Sequence, residues 1–106
     1  MTPTNRRPTL PGRILLEEFL IPLNLTQSEF VSYLGGSWTQ PKLSAIISGK
    51  RSITEAIALD LADTLCTTPE FWIGLQMDVK LWDAARKRKP LAKIPRKHTK
   101  KLTISN

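Results

Sequence analysis

The chain reads as an all-α protein of five helices followed by a basic C-terminal tail. Apolar residues recur at three- and four-residue spacing in five separate stretches, the pattern of helices with one buried face. Threonines 26, 39, 54 and 68 stand just ahead of four of these stretches, where a hydroxyl accepts from an orphan backbone N–H, and Gly35 and Gly49 stand just behind two of them. A length of 106 residues with 41% hydrophobic content supports one modest core and no second. The organisation expected is an N-terminal arm over 1–10, a helical domain over 11–88 and a flexible basic tail over 89–106.

The arm is rich in proline and threonine, carries Arg6 and Arg7, and is expected to hold little regular structure. Pro11-Gly12 opens the first helix, which runs to Ile21 before Pro22 limits it and turns Ile14, Leu15 and Phe19 inward. In the second, Thr26 is the cap, Gln27 the first residue and Glu29 the third, an arrangement in which cap and acid satisfy each other's backbone N–H. Phe30, Val31 and Leu34 form its buried stripe, and Gly35 ends it. Thr39 caps the third helix, and Pro41 is tolerated only in a first turn, so this helix starts at about Gln40 and stops at Gly49. The fourth spans Glu55 to about Leu65 behind Thr54, with Ile57, Ala58, Leu61, Ala62 and Leu65 at helical spacing. The fifth opens with Thr68-Pro69-Glu70, which places a cap, a proline at the first position and an acid at the positive end of the dipole, and runs to roughly Lys87, before Pro90.

Cap, helix, glycine turn, cap, helix, glycine is the grammar of a helix-turn-helix, and Leu25 to Arg51 follows it. At about 100° per residue, Leu43, Ile46 and Ile47 of the second helix of the pair share one side. Pro41, Ser44, Ala45 and Ser48 share the other, with Gln40 and Lys42 flanking. An ordinary surface helix keeps long Glu and Lys side chains outside. Short polar groups instead suit close approach to another surface, and a major groove admits such a helix.

The fifth helix carries two apolar arcs. Phe71, Trp72, Leu75, Val79 and Trp82 make one, and Ile73, Met77, Leu81 and Ala84 the other. A single small domain needs only the first. The second is expected to be a homodimer interface centred on Ile73, Met77 and Leu81, since a domain of this size lacks the volume to bury a helix from both sides; the alternative is a helix sunk deeper in the core. The tryptophans at 38, 72 and 82 are expected to pack in the core rather than stack on bases.

The formal charge of +7 is unevenly placed. Residues 1–85 hold seven Lys or Arg against nine Asp or Glu, a net −2, whereas residues 86–106 hold nine basic groups and no acid. The lone Cys66 cannot form an internal disulfide and reads as a buried or capping thiol in a reducing cytosol. No apolar run approaches the roughly 20 residues of a membrane span. His98 is the sole histidine and lies in the tail. With no metal-ligand spacing, phosphate loop or nucleophile elbow, neither enzyme chemistry nor a cofactor is expected. The acids at 17, 18, 60 and 63 read as solvated.

The helix pair resembles the phage-repressor-like (XRE/Cro) helix-turn-helix proteins. Pro8-Thr9-Leu10-Pro11-Gly12, Leu16-Glu17-Glu18-Phe19 and Thr68-Pro69-Glu70-Phe71-Trp72 followed by Leu75-Gln76 narrow the likeness to the HigA/VapI-type antitoxins, over most of residues 6–85. That resemblance implies a protein that represses its own operon at an operator and neutralises a small RelE-like ribonuclease toxin. It also implies that Gln27 touches a phosphate and Gln40 reads a base, with Thr39, Lys42, Ser44 and Ser48 completing the surface and Lys50 and Arg51 holding phosphates. Three features depart from the family pattern. The turn Gly35-Gly36-Ser37-Trp38 is about two residues longer, Cys66 stands where glycine is usual, and the basic tail is additional. The alternatives are a solitary transcriptional regulator without a toxin and a nucleic-acid-coating protein that works through its tail.

Overall fold

The computed structural model describes residues 6–95, which form five helices and, among the described residues, no strand. Helix α1 opens as one α-helical turn, Pro11–Ile14, and continues without a break as a π-helix, Leu15–Leu20. The others are α2, Gln27–Leu34; α3, Gln40–Ser48; α4, Glu55–Leu65; and α5, Pro69–Arg86. The starts of α2 to α5 are those the caps predict. In each, the threonine hydroxyl accepts from the backbone N–H three residues on: Glu29 at 3.0 Å, Lys42 at 3.2 Å, Ile57 at 3.3 Å and Phe71 at 3.1 Å. Each cap contributes about 1 kcal/mol. At α2 the bond is reciprocal, since Glu29 Oε1 accepts from the Thr26 N–H at 2.9 Å.

The π-helical stretch corrects the expected inner face of α1. Leu15 and Leu20 are fully buried, while Ile14 and Phe19 only lean on the core. Five residues apart on an α-helix, Leu15 and Leu20 would diverge by about 140° at 100° per residue. The wider turn, in which the Ile21 N–H donates to the Leu16 carbonyl five residues back at 2.9 Å, brings both round to one side.

Trp72 sits at the centre of the core with Phe30, Leu43, Ile46 and Leu61, and its indole N–H donates to Thr67 Oγ1 at 2.7 Å. Trp38 is buried and Trp82 half-buried, with the Arg86 guanidinium 4.6 Å from the Trp82 ring. Phe71, expected in the core, stays 40% exposed at the rim, where it meets Trp72 edge-on at 4.9 Å and Phe19 at 6.3 Å. Cys66 is exposed rather than buried and takes the left-handed conformation that ends α4, with φ 58°. The Thr67 N–H then reaches the Ala62 carbonyl at 3.1 Å, so the turn closes as glycine would close it, at a backbone cost of about 1 kcal/mol.

The Pro-Gly opening of α1 has a tertiary cause. Pro11 needs no N–H at the first helical position, and Gly12 lies so close to α3 that a Cβ would overlap the Ile46 carbonyl oxygen and lie 2.5 Å from Ile47 Cα. Leu10 in turn covers Gly49, the left-handed residue that ends α3. The N-terminal segment is tied down further by Arg7, which forms two bonds to the Asp83 carboxylate of α5, at 2.9 and 2.7 Å. Hydrogen bonding to Arg7 holds the Asp83 carboxyl below the usual carboxylate range. The stability from this pair is therefore present above that range and lost as pH falls through the depressed value. Residues 1–5 of the expected arm and the expected tail from Arg96 onward, His98 included, lie outside the described residues.

Because the atoms facing Gly12 are backbone, Gly12→Ala forces α1 and α3 apart and is expected to cost about 3 kcal/mol, read as a lower urea midpoint. An unchanged midpoint would show that the two helices are not in this contact.

Candidate nucleic-acid interface

α2 and α3 are joined by a turn that two glycines make possible. Gly35 and Gly36 take φ of 62° and 55°, in the left-handed region, and the Trp38 N–H closes back on the Gly35 carbonyl at 3.1 Å. Trp38 then folds inward to 7% exposure, with its indole N–H donating to Asp60 Oδ2 on α4 at 2.7 Å. Asp60, read from sequence as a solvated acid, is thus exposed but engaged. The Lys42 ammonium lies 4.3 Å from the centroid of the same indole, a cation–π contact of about 0.5–1 kcal/mol at an exposed site.

The buried side of α3 is Leu43 and Ile46, with Ile47 half-buried. Its other side presents Gln40, Pro41, Ser44 and Ser48 to solvent, and Lys50 and Arg51 are exposed just beyond its end. Gln27, at the first position of α2, meets this surface directly, since the Ser44 hydroxyl donates to Gln27 Oε1 at 2.8 Å. That bond leaves the Gln27 amide N–H2 as a donor toward an anion. Thr39 spends its hydroxyl on the cap, and the Ser48 hydroxyl donates to the Ala45 carbonyl at 3.2 Å. Thr39, Gln40 and Lys42 therefore gather at the first turn of α3, and Ser48, Lys50 and Arg51 at the last. The Arg51 N–H is itself fixed to the Ala45 carbonyl at 3.1 Å.

The surrounding charge favours this side. Residues 26–54 carry Lys42, Lys50 and Arg51 against Glu29, whereas residues 55–85 carry six acids against Lys80 alone. A polyanion is attracted to the first set and repelled by the second. Sequence reasoning missed the Trp38–Asp60 and Gln27–Ser44 bonds, which span 22 and 17 residues. The one local hint was an indole in a turn, since a buried tryptophan requires an acceptor for its N–H.

On α5, Met77 and Leu81 are 47% and 60% exposed, while Ile73 is half-buried against the core. A depression of about 150 Å³ lined by Ile53, Ile73, Met77 and Lys80 adjoins them.

Two capped helices about a glycine turn, the second turning short polar groups outward, define a helix-turn-helix protein. No protein-family model matches the chain. It is 36% identical over 94 residues to antitoxin HigA-1 of Vibrio cholerae, spanning 89% of this chain and 87% of that protein. The chain belongs to the HigA-type antitoxin family of helix-turn-helix proteins. It is also 40% identical over 83 residues to the uncharacterized helix-turn-helix-type transcriptional regulator YbaQ of Escherichia coli K12, over 78% of this chain and 72% of that one. Among solved structures, Pseudomonas aeruginosa antitoxin HigA with the higBA promoter matches with a TM-score of 0.70 at 28% identity, over 76% of this chain and 86% of that one. No helix among the described residues is long and apolar enough to cross a membrane.

Proposed function

We propose that the chain is a DNA-binding antitoxin that represses its own toxin–antitoxin operon in the cytoplasm and pairs with a RelE-like toxin. The observation that carries the DNA half is the outer face of α3, where Gln40, Ser44 and Ser48 are exposed between Lys42 at one end and Lys50 and Arg51 at the other. In a major groove, Gln40 pairs through its amide with adenine N6 and N7. Gln27, Lys50 and Arg51 hold phosphates and set register without specifying sequence. The toxin half rests on membership of the antitoxin family. A second reading, a solitary transcriptional regulator, is favoured by the likeness to YbaQ, which is named for regulation alone.

Gln40→Ala is expected to lose about 1–3 kcal/mol of promoter preference per half-site while affinity for scrambled DNA stays nearly unchanged. Titration of both duplexes checks this, and an equal loss on both would reduce Gln40 to a non-specific contact. For the toxin half, co-expression with the small gene adjoining its own should relieve that product's toxicity and yield a copurifying complex. No relief and no complex with any neighbouring small gene leaves the solitary regulator.

Reading two half-sites calls for a symmetric dimer. We assign its interface to Met77 and Leu81, with Ile73 beneath them, because two large apolar side chains stand exposed on a helix whose opposite arc already fills the core. Leu81→Glu places an unpaired charge in a self-complementary patch, so sedimentation should show a monomer while helix content persists. The parent mass retained in the variant would place the interface elsewhere.

A further inference from the structure

The longer turn before α3 is closed by a side chain rather than by backbone alone. Trp38, 7% exposed, is the residue immediately ahead of the α3 cap, and the one hydrogen-bonding group of its side chain is bonded to Asp60 at 2.7 Å. One indole face receives the Lys42 ammonium at 4.3 Å, and Lys42 is also the residue whose N–H bonds the Thr39 cap. A rigid ring therefore joins α4 to the first turn of α3, next to Gln40. The two glycines just before it have left-handed φ and, at each, open space where a Cβ would stand, so packing does not hold that part of the turn.

We propose that Trp38, through its bond to Asp60, is a positioning residue that sets the direction of α3 and with it the sequence preference at Gln40, and that Lys42 serves the indole rather than a base. This rests on the DNA-binding reading above. Neither Trp38 nor Asp60 need touch DNA. With the bond broken, a partly buried indole N–H loses its acceptor, and the first turn of α3 is left to a glycine hinge and the non-directional packing of the ring. The apolar contacts of Leu43 and Ile46 persist, so the helix forms but its polar face no longer holds one orientation. A displacement of about 1 Å at a site of directional hydrogen bonds is enough to lose them, whereas contacts to phosphate tolerate it.

The test measures dissociation constants for a duplex covering the promoter of the chain's own gene and for a scrambled duplex of equal composition, using the full chain. Asp60→Ala and Trp38→Phe are each expected to lower the preference for the promoter about tenfold, and the double variant no further than either alone. Affinity for the scrambled duplex does not fall with it: Trp38→Phe keeps the parent value, and Asp60→Ala and Asp60→Asn, each with one negative charge fewer, rise slightly and equally. Asp60→Asn keeps an oxygen acceptor for the indole and retains the parent preference. The Trp38 indole N–H resonance reports the bond in the DNA-free protein, moving in Asp60→Ala and staying near its parent position in Asp60→Asn.

A selective parent whose Asp60→Ala variant shows the displaced resonance but undiminished preference overturns the inference. So does an Asp60→Asn variant as impaired as Asp60→Ala, because charge and not the bond would then be responsible. A parent that binds both duplexes equally overturns the DNA-binding reading itself and the inference with it.

Discussion

The approach of α1 to α3 at Gly12 is the contact on which the arrangement depends. With no side chain at 12, the first turn of α1 rests on the backbone of Ile46 and Ile47, and Leu10 closes over Gly49. Once its inner side is held this way, α3 has Leu43 and Ile46 committed to the core, and Gln40, Pro41, Ser44 and Ser48 are left to face outward. The Pro-Gly pair thus acts at a distance from the site, by fixing which side of the third helix water sees. A close-packed interior passes such a constraint on, because a backbone contact leaves no flexible side chain to absorb a misfit.

Charge acts at a different scale. A formal +7 over the chain suggests a uniformly basic protein, yet the helix-turn-helix region carries three basic groups against one acid and the region after it six acids against one lysine. Residues 26–85 are therefore polarised along the chain, with a first stretch that attracts a polyanion and a second that repels it. This partition orients an encounter before any hydrogen bond forms. Two of the charged groups within it, Lys42 on the Trp38 ring and Asp60 on its N–H, are held in place rather than spent on salt bridges.

Much of the fold was legible because helix starts are written locally. Four threonine caps and their N–H partners lie three residues apart, and helical spacing identifies Phe30, Leu43, Ile46, Ile57 and Leu61 as buried. The errors arise where a pattern assumes an ideal helix or a short range. Leu20 was missed because the π-helical stretch changes the angular step, and Phe71 was placed inside because a helical wheel cannot tell the rim of a core from its centre. Cys66 occupies a left-handed position where the family resemblance implies glycine. The exposed outer face of α3 was readable from spacing, but Ser44 on Gln27 and Trp38 on Asp60 join residues whose proximity only tertiary packing creates.

The Arg7–Asp83 pair closes a loop of 76 residues that contains nearly every helix of the domain. Mechanically, the helical body is a ring fastened by a clasp at its surface. Tension applied to the two ends of that ring loads the clasp before it loads any helix, and both partners are substantially exposed. An exposed pair is weakened by salt, and protonation of Asp83 removes it altogether. The arm that carries Leu10 onto Gly49 is then secured by that apolar contact and by the Leu10 carbonyl, which accepts from the Arg13 and Ile14 N–H groups, so acid or brine loosens the segment that braces the end of α3.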